Sequence, residues 1–330
     1  MRQKATPEQE LGQGVLSWMG LLCSILLLTV TLVVLAGWVG GDERVWSKWL
    51  SWVPAAFLLP ISLIGLMTCW WVHGRAASRV RAAHGLLSVF LLSWILGSDL
   101  GLFRAKSVAS TDAVLVHWNA SWPNRKVELP LAYEVLRDLD ADLVVITESG
   151  QFGWGTVGSD LKDEWPHDAR ASGALLLSRE PILEVRPILY SKGVSLVWAR
   201  LELSGVERSI WIIDLPSDPG RSKGLIFEKL LQAARDEGLE MPDIVVGDFN
   251  VTRRSRALQS AFPEMRNAFD ESGVGWSGSW PREWPFWQLD QLLLGPSMQS
   301  RRYEIIDPGV GRHRMQRAVL RSRASGPAEE

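Results

Sequence analysis

The first hundred residues contain long stretches with almost no charged side chain. Asp, Glu, Lys and Arg are all missing from Leu11 to Gly41 and from Trp49 to Gly74, and from Ala82 to Phe103 the sole charge is Asp99. A helix of about 20 apolar residues crosses a bilayer core about 30 Å thick. Three transmembrane helices are therefore expected, over about residues 15–39, 50–72 and 82–103. Trp18, Trp38, Trp49, Trp52, Trp70 and Trp71 fall near the span ends, where amphipathic rings favour the headgroup zone. A cleaved signal peptide, with Arg2 and Lys4 ahead of it, is the competing reading of the first stretch. Its apolar run is too long for that, and two more follow. Such a chain is neither wholly soluble nor disordered.

Basic residues in short loops set orientation. Arg2 and Lys4 precede the first span, and Arg75, Arg79 and Arg81 lie without an acid between the second and third. With three spans these two segments share the cytoplasmic side. Arg44 and Lys48, in the loop between, are offset by Asp42 and Glu43, while Arg104 and Lys106 argue weakly the other way. The remainder of the chain is expected outside the cytoplasm, on an integral protein of the bacterial inner or plasma membrane. Asp99, close to the end of the last span, is expected to be a solvated end residue.

Composition changes sharply after this anchor (1–104), and residues 105–330 read as one water-soluble domain. Residues 104–330 hold 28 of the 35 Lys and Arg and 32 of the 37 Asp and Glu, a net charge of -4. Proteins that track long nucleic acid usually carry a basic surplus, since phosphate neutralisation supplies much of their affinity. Nucleic acid is thus not favoured by charge as a partner, although short or single-stranded substrates stay open. The Arg run from Arg312 to Arg323 is the place to seek a local basic patch. Both cysteines, Cys23 and Cys69, lie in apolar spans, so the domain needs no disulfide.

Within the domain, apolar runs alternate with helical periodicity. Ala113–Trp118, Leu143–Thr147, Ala174–Leu177, Ser209–Ile213, Ile244–Val246 and Leu289–Leu294 read as strands. Leu129, Ala132, Tyr133, Leu136 and Leu139 repeat at helical spacing, and Ser222 can cap a helix to about Glu237 with Ile226, Leu230 and Ala233 inward. An α/β sandwich follows. Polar residues recur at the strand ends, where open α/β sheets gather their sites. Asn119, Glu148, Asp214, Asp248 and Asn250 end strands, Asp290 lies within one, and His313 follows the turn Pro308–Gly311. One carboxylate after a strand is usually a cap, but these seven residues at six strand ends call for another reason. Oxygen donors of this kind suit Mg²⁺ or Mn²⁺. His117, two before Asn119, points to the same strand face and reads equally as a supporting or a reacting group. His167 reads as surface. Trp276, Trp280, Trp284 and Trp287 read mainly as loop packing, with stacking on a base, sugar or lipid headgroup as the sharper alternative.

The order HWN, DLVVITES, DIVVGDFN, QLDQLLL and a terminal His resembles the endonuclease/exonuclease/phosphatase (DNase I-like) superfamily, in its membrane-anchored bacterial form. GDFN is the most specific piece, SGALLLSREPI and WSGSWPREWPFWQLDQLL add to it, and the resemblance covers about Asp112 to Arg321. It implies a four-layer α/β sandwich, two mixed β-sheets flanked by helices. It also implies a hydrolase acting on phosphoester bonds. Glu148 would be the principal metal ligand with Asn119 beside it. Asp248 and Asn250 would activate water and hold the scissile phosphate, and Asp290 would fix the tautomer of His313, which faces the phosphate. Whether Asp248 or His313 is the base stays open.

Two positions depart from the family pattern. Asp214 stands where the family usually has His, and Arg312 where it usually has Asp before the final His. Asp214 could serve only if protonated or turned into a metal ligand, and Arg312 could bind a substrate phosphate directly. The expected function is divalent-metal-dependent hydrolysis of a phosphodiester in nucleic acid, a lipid headgroup or a small phosphorylated substrate, by in-line attack of water. The alternative is an altered domain that binds a phosphorylated ligand or a partner protein without hydrolysis.

Overall fold

The computed structural model describes residues 7–102, 104, 106–121, 125–152, 161–218 and 220–323. Arg2, Lys4 and the C-terminal tail from Ala324 to Glu330 lie outside the described residues. The chain divides into two compact units, Met1–Ser98 and Asp99–Glu330.

In the first unit, α1 runs from Pro7 to Gly40 and stops at Gly41, whose φ of 71° suits a helix C-terminus. A short α2 (Val45–Ser51) is followed by α3 (Ala55–Thr68) and by α4 (Arg75–Trp94), which continues through one π-helical turn, Ile95–Asp99. Helix α3 returns antiparallel to α1. Trp38 Nε1 donates to the Val53 carbonyl at 3.0 Å near one end, and Ser24 Oγ donates to the Gly65 carbonyl at 2.7 Å near the other. Small residues allow close helix approach: a Cβ on Gly20 of α1 would lie 2.7 Å from the Thr68 carbonyl oxygen of α3, and one on Gly65 of α3 would lie 2.2 Å from the His84 ring of α4. His84 is fully buried and donates from Nε2 to the Ser24 carbonyl at 3.0 Å.

Two helices, Gly14–Gly40 and Arg75–Asp99, are long and apolar enough to cross a membrane. The expected span over 50–72 is not one helix. The chain breaks between Ser51 and Pro54, where Pro54 caps α3, and the helix ends at Thr68. Its 14 residues extend only about 21 Å at 1.5 Å per residue, short of a bilayer core.

The second unit has strands β1 (Ala113–Asn119), β2 (Leu143–Thr147), β3 (His167–Ala171), β4 (Ala174–Ser178), β5 (Ile182–Ser191), β6 (Val194–Leu203) and β7 (Val206–Asp214). After them come β8 (Ile244–Asp248), β9 (Arg266–Asn267), β10 (Gly273–Val274), β11 (Asp290–Leu294), β12 (Met298–Ile306) and β13 (Met315–Ser322). Among the described residues they form two mixed sheets, ordered β10-β12-β13-β1-β2-β4-β3 and β5-β6-β7-β8-β11-β9. Alternation along each strand sorts the apolar side chains. Leu115, Val145, Ile212 and Val246 fill the space between the sheets, while Val116, Ile146, Trp211 and Val245 face outward. Helix α5 (Arg125–Arg137) covers one outer face through Ala132 and Leu136. Helices α6 (Lys223–Asp236) and α7 (Arg256–Ala261) cover the other, and the short α8 (Ala268–Ser272) precedes β10. Ser222 Oγ caps α6 by accepting from the Leu225 N–H, and its inward face uses Ala234 in place of the expected Ala233.

Two sequence expectations change here. The Arg run is no open basic patch: Arg314 pairs with Asp307, Arg317 with Glu304, Arg321 with Asp112 and Arg323 with Glu271. Asp99 is not a solvated end residue. It is buried, with Oδ1 2.7 Å from Arg254 Nη2 and 3.6 Å from Arg253 Nη2.

Candidate active site

Strand register brings the polar strand ends together. Asp214 on β7 is opposite Asp248 on β8, and Asp248 is opposite Asp290 on β11, so three carboxylates stand in a row across one sheet. On the other sheet, Asn119 of β1 is opposite Thr147 of β2, with Glu148 next in the chain. The two sheets meet at this end: Asn119 Nδ2 donates to Asp248 Oδ2 at 2.8 Å. Glycine is required beside Asp248, because Gly247 has φ 148° and a Cβ there would sit 1.8 Å from the Ile213 carbonyl oxygen. Glu148 and Asn250 both adopt left-handed backbone, at φ 49° and 48°, a conformation that is uncommon outside glycine and concentrates at functional sites.

Each group has a defined partner set. Asp248 accepts from the Asn250 N–H at 2.9 Å and from Asn250 Nδ2 at 3.0 Å, besides Asn119. His313 Nδ1 donates to Asp290 Oδ2 at 2.9 Å, which leaves Nε2 as the other ring nitrogen. The same Oδ2 receives Ser279 Oγ at 2.6 Å, while Asp290 Oδ1 is buried without a hydrogen-bond partner. Behind the site His117 is fully buried, Nδ1 facing Gln316 Oε1 and Nε2 facing Thr147 Oγ1, both at 3.2 Å. Gln316 Nε2 in turn donates to the Asp290 carbonyl. The Glu148 carboxylate is exposed and makes no hydrogen bond or ion pair among the described residues. Arg312 is likewise exposed; its N–H donates to the Ser121 carbonyl at 2.9 Å.

Crowded carboxylates in a buried place hold protons. Burial first, then Asp248, Glu148 and Asp290, push Asp214 up to about 8. Burial and Asp290 raise Asp248 to about 7, against the opposing pull of His313, the Asn250 N–H and Asn119. For His313 burial favours the neutral ring, but Asp290, with Asp248 and Glu148, outweighs it and lifts the imidazole to about 9. Burial works against the Asp290 anion, and His313 more than offsets this, so that carboxyl sits below its ordinary value. At neutral pH the site therefore holds an ionised Asp290, a cationic His313 and a largely protonated Asp214.

Asp248, Asp290 and His313 place ligand atoms within 4.8 Å of one another. With Nδ1 bonded to Asp290, His313 presents Nε2, which donates to a phosphate oxygen when protonated and can ligate a cation when neutral. Glu148, with an unpartnered carboxylate, has the chemistry of a hard-cation ligand.

Several supporting residues carry no chemical signature in the sequence. Ser279, Thr147 and Gln316 are ordinary polar residues until the loop ahead of β11 brings Ser279 to Asp290, and strands β2 and β13 bring Thr147 and Gln316 to His117. The tryptophan loop braces the same region. Trp280 and Trp287 rings pack at 5.5 Å, Trp276 Nε1 donates to the Pro285 carbonyl, and Arg314 N donates to the Ser279 carbonyl at 2.8 Å. Trp284 alone of the four is largely exposed, at 72%.

A double sheet with acidic strand ends and a terminal histidine defines a class of hydrolase folds. Over residues 117–323 the chain matches the Endonuclease/Exonuclease/phosphatase family, and it belongs to that family. Its fold is similar to that of an endonuclease/exonuclease/phosphatase family protein from Bacteroides thetaiotaomicron, at 14% identity and TM-score 0.50, over 63% of this chain and 97% of that one. It is similar also to an endonuclease/exonuclease/phosphatase from Beutenbergia cavernae, at 17% identity and TM-score 0.50, over 66% and 73%. A conserved protein from Enterococcus faecalis aligns at 12% identity and TM-score 0.50, over 64% and 100%. No curated protein sequence matches the chain.

Proposed function

We propose that this protein is a membrane-anchored, divalent-metal-dependent phosphoesterase that hydrolyses a phosphodiester. The observation that carries the reading is the row Asp214, Asp248, Asp290 with His313 held 2.9 Å from Asp290, in a chain of this family. Mg²⁺ or Mn²⁺, held by Glu148 with Asn119, would supply Lewis-acid stabilisation of charge on the phosphate oxygens. The protein's own groups do the rest. His313, kept cationic by Asp290, faces a non-bridging phosphate oxygen and offsets its charge. Asp248, near neutrality at about 7, accepts the proton of the attacking water, and Asn250 orients that carboxylate. Asp214, protonated at neutral pH, donates a hydrogen bond where the family usually has His. Arg312 binds a substrate phosphate from the rim.

The net charge of -4 over residues 104–330 favours a lipid headgroup or a small phosphorylated substrate over long nucleic acid. The basic residues Arg75, Arg79 and Arg81, in the first two turns of α4, favour a cytoplasmic start for that helix and the catalytic unit outside the cytoplasm. This placement requires α3, whose 14 residues alone fall short of a bilayer core, to carry the chain across together with its flanking residues. The test is turnover by the full chain in nanodiscs. Substrates are a generic phosphodiester, a phosphomonoester, single-stranded DNA and a phospholipid, each with Mg²⁺, with Mn²⁺ and with chelator. Metal-dependent turnover lost in Asp248→Ala and His313→Ala is expected. Absence of turnover on all four by a folded protein would overturn the reading. Protease digestion of the domain in intact spheroplasts is expected; digestion only after lysis would reverse the orientation.

A further inference from the structure

The second compact unit begins at Asp99, before the water-soluble composition starts, and its first residues are tied to both loops that feed the site. Asp99 Oδ1 receives Arg254 Nη2 at 2.7 Å and lies 3.6 Å from Arg253 Nη2. These arginines sit on the segment Val251–Ser255 that leaves β8 directly after Asp248, Phe249 and Asn250. The Asp99 carbonyl accepts from the Ser277 N–H at 3.0 Å. Ser277 lies two residues ahead of Ser279, which holds Asp290 Oδ2 at 2.6 Å. One residue thus touches the loop behind the Asp248–Asn250 end and the loop behind the Asp290–His313 pair.

The neighbours reinforce the clasp. Gly101 has φ 55°, and a Cβ there would fall 2.2 Å from the Gly273 carbonyl oxygen, so this backbone lies against β10 at a distance only glycine allows. Arg104 Nη1 donates to the Phe269 carbonyl at 3.2 Å. Arg253, only 7% exposed, also pairs with Asp270 at 2.5 Å and stacks its guanidinium 4.8 Å from the Phe269 ring centroid. Without the Asp99 carboxylate the buried Arg253 loses one of the anions beside it, and Arg254, whose side chain is 39% exposed, loses its 2.7 Å tie, so the loop that carries both loosens.

We propose that Asp99 is a positioning residue for the active site, its carboxylate holding the Arg253–Arg254 loop and its carbonyl the Ser277–Ser279 loop. Its effect on turnover rests on the phosphoesterase reading, whereas its effect on loop order does not. The full chain in nanodiscs would be followed by hydrogen exchange with mass spectrometry as wild type, Asp99→Asn and Asp99→Glu. In Asp99→Asn, amides over 251–256 and 276–280 exchange faster by about tenfold, reporting local opening, while those of β1 and β2 keep their protection. Asp99→Glu restores much of the wild-type exchange. On bis(4-nitrophenyl) phosphate with Mn²⁺, kcat of Asp99→Asn falls by about 3- to 10-fold with KM little changed, as for a group that orients reacting residues. Unchanged exchange in both loops, or equal loss of protection in β1 and β2, overturns the proposal. A wild type without turnover overturns the phosphoesterase reading, and the exchange data still decide the role of Asp99.

Discussion

Two buried histidines are linked to Asp290, His313 directly and His117 through Gln316, and the structure puts them in opposite states. His117 meets only neutral groups, Gln316 and Thr147. Burial pushes it down to about 4, with Asp290 and the Gln316 hydrogen bond pulling weakly the other way. His313 is buried almost as deeply, yet direct contact with the Asp290 carboxylate lifts it to about 9 despite desolvation. Burial alone therefore does not set the charge of an imidazole here; the first hydrogen-bond partner does. Behind the site lies a neutral amide and hydroxyl network that fixes geometry. At the site is a charged pair able to receive an anion.

The largest effect expected from breaking this contrast is on turnover. His313→Ala or Asp290→Asn should lower kcat by about 10²- to 10⁴-fold, the usual scale for a proton-handling or charge-stabilising group, as read on a generic phosphodiester. His117→Gln, in the neutral network behind the site, should change kcat by less than about tenfold. Its cost should appear in unfolding experiments, at about 1–3 kcal/mol for disturbed buried hydrogen bonds. Ser279→Ala, which removes the second donor to Asp290 Oδ2, should fall between, lowering kcat about fivefold, on the order of 1 kcal/mol.

The smallest effect is the most informative about Asp214. Its pKa is raised from 3.8 to about 8, so the folded chain keeps a proton that the unfolded chain releases. That contribution to stability is present at low pH and is lost as pH rises through this window. Asp248, raised to about 7, acts in the same direction. His313 does too: its stabilisation is full below 6.5 and gone above about 9. Thermal unfolding without metal should therefore come at lower temperature at pH 9 than at pH 6. Asp214→Asn, which cannot ionise, should reduce that drop by a few degrees.

Much of this site was legible because an apolar run that ends in a carboxylate is visible without knowing which strands pair. The runs ending at Glu148, Asp214 and Asp248 all do so, the run ending at Asn119 closes on an amide, and GDFN carries a glycine that only tight strand packing requires. Hairpin β5–β6 and strand β12 were not visible. In MQSRRYEII and VSLVWARLEL polar and charged side chains interrupt the apolar pattern, since each strand is partly exposed on one side. Asp99 was misread because its partners Arg253 and Arg254 lie more than 150 residues away in sequence. Distance in sequence also hid the acids that neutralise the Arg312–Arg323 run, of which Asp112 and Glu271 are two. The break at Pro54 shows why a composition window overstates a span: it counts apolar residues and not whether one helix contains them.

Asp290 keeps His313 a cation, which in the proposed reaction faces the phosphate. Selective ¹⁵N labelling of histidine rings in the full chain, without metal, reads that charge directly by NMR. A ring with Nδ1 bonded to a carboxylate is expected to stay doubly protonated at pH 7.5, to titrate near 9, and to become neutral at pH 7.5 in Asp290→Asn. A His313 ring already neutral at pH 7.5 in the wild type, or still charged in Asp290→Asn, would show that Asp290 does not hold the charge.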